Sequence, residues 1–163
     1  MNIKLKKNYL YLGKYKIKCS IGKRGITSKK IEGDCKTPRG IFTFHSIFYR
    51  KDRILKIKTP LKKVIIKKNM GWCDDVNSKH YNRMIKYPFK YRSEKLWLRE
   101  NIYDIIFVIN YNLKPIIKNH GSAIFMHIAK KKFKPTRGCL AVSKKDIIFL
   151  IKKINSKPKI IIN

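Results

Sequence analysis

Acidic residues are scarce in this 163-residue chain: nine Asp and Glu stand against 41 Lys and Arg, giving a formal charge of +32. Small apolar residues are scarce as well, with three Ala and four Val beside 27 Ile. Core packing gives no reason for so lopsided a choice among similar side chains. The joint excess of Ile and Lys therefore reads as a mutational bias toward AT-rich codons, with most lysines forming a solvated face and attracting polyanions only incidentally. The cations are spread along the whole chain without zinc-ligand spacing, basic-region heptads or an aromatic RNA-binding signature, so nucleic acid has no specific seat. A non-enzymatic basic nucleic-acid-binding protein stays as the alternative of a different class. Apolar runs of 18 or more are missing, which excludes a membrane-spanning helix. The start, Met1 to Gly13, is basic, but its apolar stretch is too short for a signal peptide and no small-residue cleavage site follows, so no export address is expected. Cys19, Cys35, Cys73 and Cys139 show no CxxC or Cys/His metal spacing, and a chain of this length needs no disulfide staples. They read as free thiols, one of which is open to a reactive role.

What is present suffices for a core. At 44% hydrophobic and 12% aromatic the chain is not disordered, and its length fits one domain spanning 1–163. Tyr9 to Leu12 and Tyr15 to Ile21 flank Gly13-Lys14 as a hairpin, and Tyr15, Ile17, Cys19 and Ile21 alternate with polar residues as a half-buried strand does. Gly22 to Gly40 is loop-like. Ile41 to Tyr49 predicts a strand, as do the short apolar runs Asp104 to Asn110 and Ala123 to His127. Ser143 and Asp146 resemble a capping box ahead of Ile147, Ile148, Leu150, Ile151 and Ile154, which predicts the one helix; Lys159 to Ile162 then reads as a last strand. Residues 71–103 are polar, aromatic and strand-poor, the candidate for a lid or insertion over a β scaffold.

The chemistry-bearing residues lie near the C-terminus. Gly121-Ser122-Ala123-Ile124-Phe125-Met126-His127 is followed, twelve residues after the histidine, by Cys139 within Pro135-Thr136-Arg137-Gly138-Cys139-Leu140. A buried strand ending in His, a basic loop and a Gly-Cys turn can bring imidazole and thiol together, so that the imidazole takes the thiol proton and the sulfur attacks an acyl carbon. Gly138 lets the backbone turn tightly and aim amides at an oxyanion. A buried cysteine beside a satisfied core histidine is the other reading of the same residues.

Further segments carry a resemblance. Thr136-Arg137-Gly138-Cys139 resembles the Ser/Thr-x-Gly-Cys nucleophile turn of the L,D-transpeptidase catalytic domain family, the YkuD-type bacterial cell-wall enzymes. Glu32-Gly33-Asp34-Cys35-Lys36-Thr37-Pro38-Arg39-Gly40-Ile41-Phe42 is similar to that family's entry segment, and Gly71-Trp72-Cys73-Asp74-Asp75, Tyr81-Asn82-Arg83, Ser93-Glu94-Lys95-Leu96-Trp97 and Tyr103-Asp104 resemble segments of a compact bacterial subgroup. The likeness runs over about 14–154. The chain departs from it where better-known members carry His at the place of Arg137, and Arg or Asn at the place of Ala141; Cys35 stands where glycine is usual and is read as structural.

The resemblance implies a β-rich fold, a mixed-sheet β-sandwich with its site in a groove under a lid. It implies a peptidoglycan L,D-transpeptidase in which Cys139 is nucleophile, His127 general base and then acid, and the amides of Gly138, Cys139 and Leu140 the oxyanion donors. Hydrolysis of the same bond, an L,D-carboxypeptidase activity, is the variant in which water replaces the acceptor amine. Thr136, Arg137, Ser122, Tyr81, Asn82 and Arg83 are the substrate-binding candidates, Arg137 and Arg83 for carboxylates, although each arginine equally suits a solvated cation. The cationic loop from Lys130 to Lys134 is expected to favour a thiolate at Cys139. No metal or organic cofactor is expected. The partners are peptidoglycan stem peptides, with carbapenem β-lactams as covalent inhibitors, and a monomer is expected. Family function implies periplasm or cell wall, against a cytoplasmic alternative given the missing leader.

Overall fold

The computed structural model describes residues 2–163. Its strands are β1 (Asn2–Lys6), β2 (Tyr9–Leu12), β3 (Tyr15–Ser20), β4 (Ile26–Thr27), β5 (Thr37–Pro38), β6 (Gly40–Tyr49) and β7 (Lys63–Ile65). They continue as β8 (Met70–Cys73), β9 (Met84–Lys86), β10 (Ser93–Lys95), β11 (Ile105–Ile109), β12 (Phe125–Ile128) and β13 (Leu140–Val142), and the chain ends with helix α1 (Lys144–Lys153) and β14 (Lys159–Ile162). Nine strands form one sheet in the order β11-β12-β13-β3-β2-β1-β14-β6-β7. Strand β6 is long enough to pair with β14 through Gly40 to Thr43 and with β11 through Phe44 to Tyr49, which closes the sheet on itself. The class is β-rich as expected, while the expected sandwich is rolled shut through β6, because a ten-residue strand can bridge what would otherwise be two sheets.

Alternation along the strands sorts the core. In β1, Ile3 and Leu5 point inward while Asn2, Lys4 and Lys6 face water, and Leu10, Leu12, Ile17, Ile160 and Ile162 do the same on neighbouring strands. The helix begins where the capping box predicts: Ser143 Oγ accepts the Asp146 N–H at 3.1 Å and donates to the Asp146 carboxylate at 2.6 Å. Ile147, Leu150 and Ile151 then seal one end of the core.

Strand β11 is buried along its whole length because it divides two cores. Ile105, Phe107 and Ile109 face the main core, whereas Ile106 and Val108 face a second one made with Phe48, Trp72, Leu96, Tyr103 and Phe125. Trp72, Leu96 and Tyr103 of that second core come from residues 71–103. The stretch is strand-poor as expected, but its short strands, three or four residues each, do pair into a three-stranded antiparallel sheet, β10-β8-β9. Strand β8 shows no alternation, since all four of its residues are buried between the second core and its flanking strands.

Candidate active site

Strand β12 brings the histidine to the groove by simple alternation. Met126 and Ile128 enter the main core, so Phe125 and His127 turn to the opposite face, toward the 71–103 sheet. The cysteine arrives on the turn before β13, which pairs with β12 in parallel so that His127 lies opposite Ala141. Both side chains line one groove, whose far wall is formed by Asp74, Arg92, Glu94 and Tyr103.

The turn that carries Cys139 is held from several sides. Thr136 Oγ1 donates to the Cys139 carbonyl at 2.6 Å and accepts the Gly138 N–H at 3.1 Å. Thr37 of the entry segment donates to the Gly138 carbonyl and accepts the Gly22 N–H, both at 2.9 Å. Gly138 adopts a φ of +137°, and a Cβ there would stand 2.8 Å from the Lys36 carbonyl oxygen, so only glycine fits. The sulfur donates to the Ala123 carbonyl at 3.2 Å and accepts the Phe125 N–H at 3.4 Å. These contacts tie Cys139 to the segment that carries His127.

Both the thiol and the imidazole rest uncharged. Burial, with a lesser push from the Lys130 charge, lowers the His127 imidazole to about 4. Its Nδ1 lies 2.9 Å from the Ile128 carbonyl, which fixes the proton there and leaves Nε2 as the basic nitrogen. Cys139 is half-buried as a residue, yet its sulfur is enclosed, and that burial together with the negative charge of Glu94 pushes the thiol up to about 12. The expected thiolate is therefore corrected. The lysine loop after His127 runs along the groove rim, and among cations only Lys30 acts appreciably on the sulfur, too weakly to offset burial.

The substrate-binding candidates divide. Arg137 is exposed at the groove and forms no ion pair among the described residues. Ser122 lines the groove with a buried hydroxyl that completes no hydrogen bond, although the Tyr81 hydroxyl lies near it. Three of the others serve the scaffold. Thr136 spends its hydroxyl on the turn, as above. Tyr81 is buried and donates to Glu32 Oε2 at 2.6 Å, joining the 71–103 segment to the entry segment from behind the groove. Asn82 is saturated: Oδ1 accepts from Trp72 Nε1 at 2.9 Å and from the Ala123 N–H at 3.1 Å, and Nδ2 donates to the Asn112 carbonyl at 2.6 Å and to that of Tyr111 at 3.4 Å. Arg83 is exposed away from the groove. Of the expected oxyanion donors, the Gly138 N–H is bonded to Thr136 Oγ1, whereas no turn or side-chain acceptor among the described residues takes the Cys139 N–H.

Four groove residues lay in motifs noted in the sequence, or beside them, without a role: Glu32, Asp74, Arg92 and Glu94, to which Tyr103 must be added. The scarcity of acid was the available signal, because a chain with nine carboxylates that spends three of them on one groove is not doing so by composition. Tyr103 donates to Glu94 Oε1 at 2.5 Å and sets the edge of its ring against His127, centroids 5.3 Å apart at 82°. Cys35, expected to be structural, is instead half-buried on the groove wall with a φ of +57°, the left-handed conformation that explains why glycine is usual at such a place.

A thiol and a neutral imidazole opening onto one groove, the thiol carried on a glycine turn, form a site for cysteine-dependent acyl chemistry. The model of the YkuD family, described as L,D-transpeptidase catalytic domain, matches residues 3–162, and the chain belongs to that family of cysteine-dependent, peptidoglycan-modifying enzymes. A search of curated proteins gives no match.

Proposed function

We propose that the protein is a peptidoglycan L,D-transpeptidase with Cys139 as nucleophile and His127 as its base. The observation that carries this reading is the resting pair itself, a protonated Cys139 sulfur held by Ala123 and Phe125 and a neutral His127 with Nε2 unoccupied, both on one groove. In the first step His127 Nε2 takes the thiol proton as the sulfur adds to the carbonyl of the L,D-peptide bond after the third residue of a stem tetrapeptide. Collapse of the tetrahedral intermediate breaks the C–N bond, His127 returns its proton to the departing D-Ala amine, and a thioester remains. An amine of a second stem then attacks, loses its proton to His127, and expels the Cys139 thiol. The free Cys139 N–H is the oxyanion donor in both steps. Arg137 and the unpartnered Ser122 hydroxyl bind the stem, Arg137 through a carboxylate. With water as acceptor the same sequence gives an L,D-carboxypeptidase.

The test is incubation with purified tetrapeptide muropeptides followed by mass spectrometry. Loss of D-Ala together with a cross-linked dimer supports transpeptidation, loss of D-Ala alone supports the carboxypeptidase, and intact tetrapeptide with active wild-type protein overturns both.

A further inference from the structure

Three carboxylates survive in the groove of a chain that has almost none, and they differ in what already satisfies them. Asp74 is paired with Arg92 Nε at 3.2 Å. Glu32 accepts the Tyr81 hydroxyl through Oε2 and the Gly33 N–H through Oε1. Glu94 accepts only the Tyr103 hydroxyl, through Oε1; it forms no ion pair among the described residues, and Oε2 is neither hydrogen-bonded nor sealed from the groove. It also stands close enough to Cys139 for its charge to act on the sulfur.

We infer that Glu94 is a specificity-determining residue whose free carboxylate oxygen receives an ammonium group of the substrate beside Cys139. This inference rests on the reading of the groove as a stem-peptide site, and it names the group of the stem that Glu94 takes: a free amine lying in the same groove as the scissile bond. The physical case is that a carboxylate without a cation partner, next to a nucleophile that must ionise, is a double cost in the empty site. It disfavours its own charge and that of the sulfur. A bound ammonium removes both costs at once. The charged and titratable groups around Glu94 are Tyr103, Cys139, Arg137, Asp74 and Glu32. Arg137 is the one cation among them and is exposed, so it offsets the carboxylate only in part. Burial pushes the Glu94 carboxyl above the usual range, as an unpaired carboxylate requires.

Paired thiol reagents test this without any stem peptide. Methyl methanethiosulfonate and its aminoethyl analogue both transfer an S-alkyl group to a thiolate and release sulfinate, but only the second carries an ammonium. A protein of charge +32 repels that cation on average, so a rate ratio favouring it at Cys139 is diagnostic. The ratio is read by mass spectrometry on the labelled peptides, with Cys35 on the same groove wall as internal control. We expect Glu94→Gln to lower the cationic-to-neutral ratio at Cys139 at least fivefold and to leave that at Cys35 within twofold. Any change in thiol ionisation cancels in the ratio. Tyr103→Phe, which keeps the charge, should leave the ratio high, and Glu94→Asp should retain most of it. An unchanged ratio in Glu94→Gln overturns the inference. Turnover of a tetrapeptide with a free third-residue side-chain amine is then compared with its N-acetylated form. Preference for the free amine that disappears in Glu94→Gln supports the stem assignment, equal turnover of both by wild type overturns the inference, and turnover of neither, with the reagent ratio intact, overturns the stem-peptide reading alone.

Discussion

Cys139 and His127 make opposite demands on burial. Enclosure keeps the imidazole neutral and thus able to act as a base, but the same enclosure, with Glu94, keeps the sulfur protonated. The reactive thiolate must therefore form during attack. Alkylation of Cys139 by iodoacetamide should accelerate nearly tenfold per pH unit from pH 6 to 9, and a plateau across neutral pH would show a preformed thiolate and reject this electrostatic account. Because the His127 imidazole sits near 4, turnover should persist in mild acid and fall only as the ring protonates toward that value. Cys139→Ala and Cys139→Ser should abolish turnover and the carbapenem adduct. His127→Ala should lose at least a hundredfold in kcat while keeping its circular dichroism spectrum. These two residues were legible in the sequence because spacing, a strand ending in His and a Gly-Cys turn are all local features. Glu94 and Tyr103 were not given roles because the Tyr103–Glu94 hydrogen bond and the packing of Tyr103 against His127 join segments that no spacing relates.

The elements that were readable are those with one wet face or a strong cap. Strands β2, β3, β6, β11, β12 and β14 and helix α1 all appear within two residues of the positions that alternation, β-branching or the Ser143 cap predicts. Strands β8 and β13 escaped because each is short and buried throughout, so no period shows. Strand β1 did alternate, Asn-Ile-Lys-Leu-Lys, but a basic N-terminus invites a reading as a targeting segment first. Tyr81 and Asn82 illustrate the limit at this scale: their motif was recognisable, but their work is to join the 71–103 sheet to Glu32 and to the segment that leads into β12. Asn82→Ala removes a buried side chain and its four hydrogen bonds, one of them to buried Trp72, and should cost about 3 kcal/mol in denaturant unfolding, with kcat falling more than KM changes. A change in KM alone would return Asn82 to the substrate. Ser143→Ala should cost about 1 kcal/mol of stability through the lost cap and leave kcat/KM unaltered, since α1 supports the main core on the side away from the groove.

The whole molecule carries far more positive charge than its ion pairs can absorb. Five salt bridges join described residues, and they use Lys30, Arg50, Arg53, Arg92 and Lys144 out of 41 cations. Most of the remainder lie in turns and loops, and those on strands face water, as Lys4 and Lys6 of β1 and Lys16 and Lys18 of β3 do on either side of Tyr9 and Tyr11 of β2. Two electrostatic terms of opposite sign follow. Screening weakens the few favourable pairs, which are worth at most about 1 kcal/mol each where exposed, and it also weakens the repulsion among some thirty unpaired cations, which destabilises the compact state. Repulsion involves many more partners, so its screening wins. Raising sodium chloride from 20 to 300 mM should raise the Tm by several degrees, and the same change should release nearly all bound DNA or RNA irrespective of sequence. A Tm that falls with salt would mean that ion pairs govern stability, and sequence-selective nucleic-acid binding that survives 300 mM salt would give the lysines a specific function that composition alone does not require.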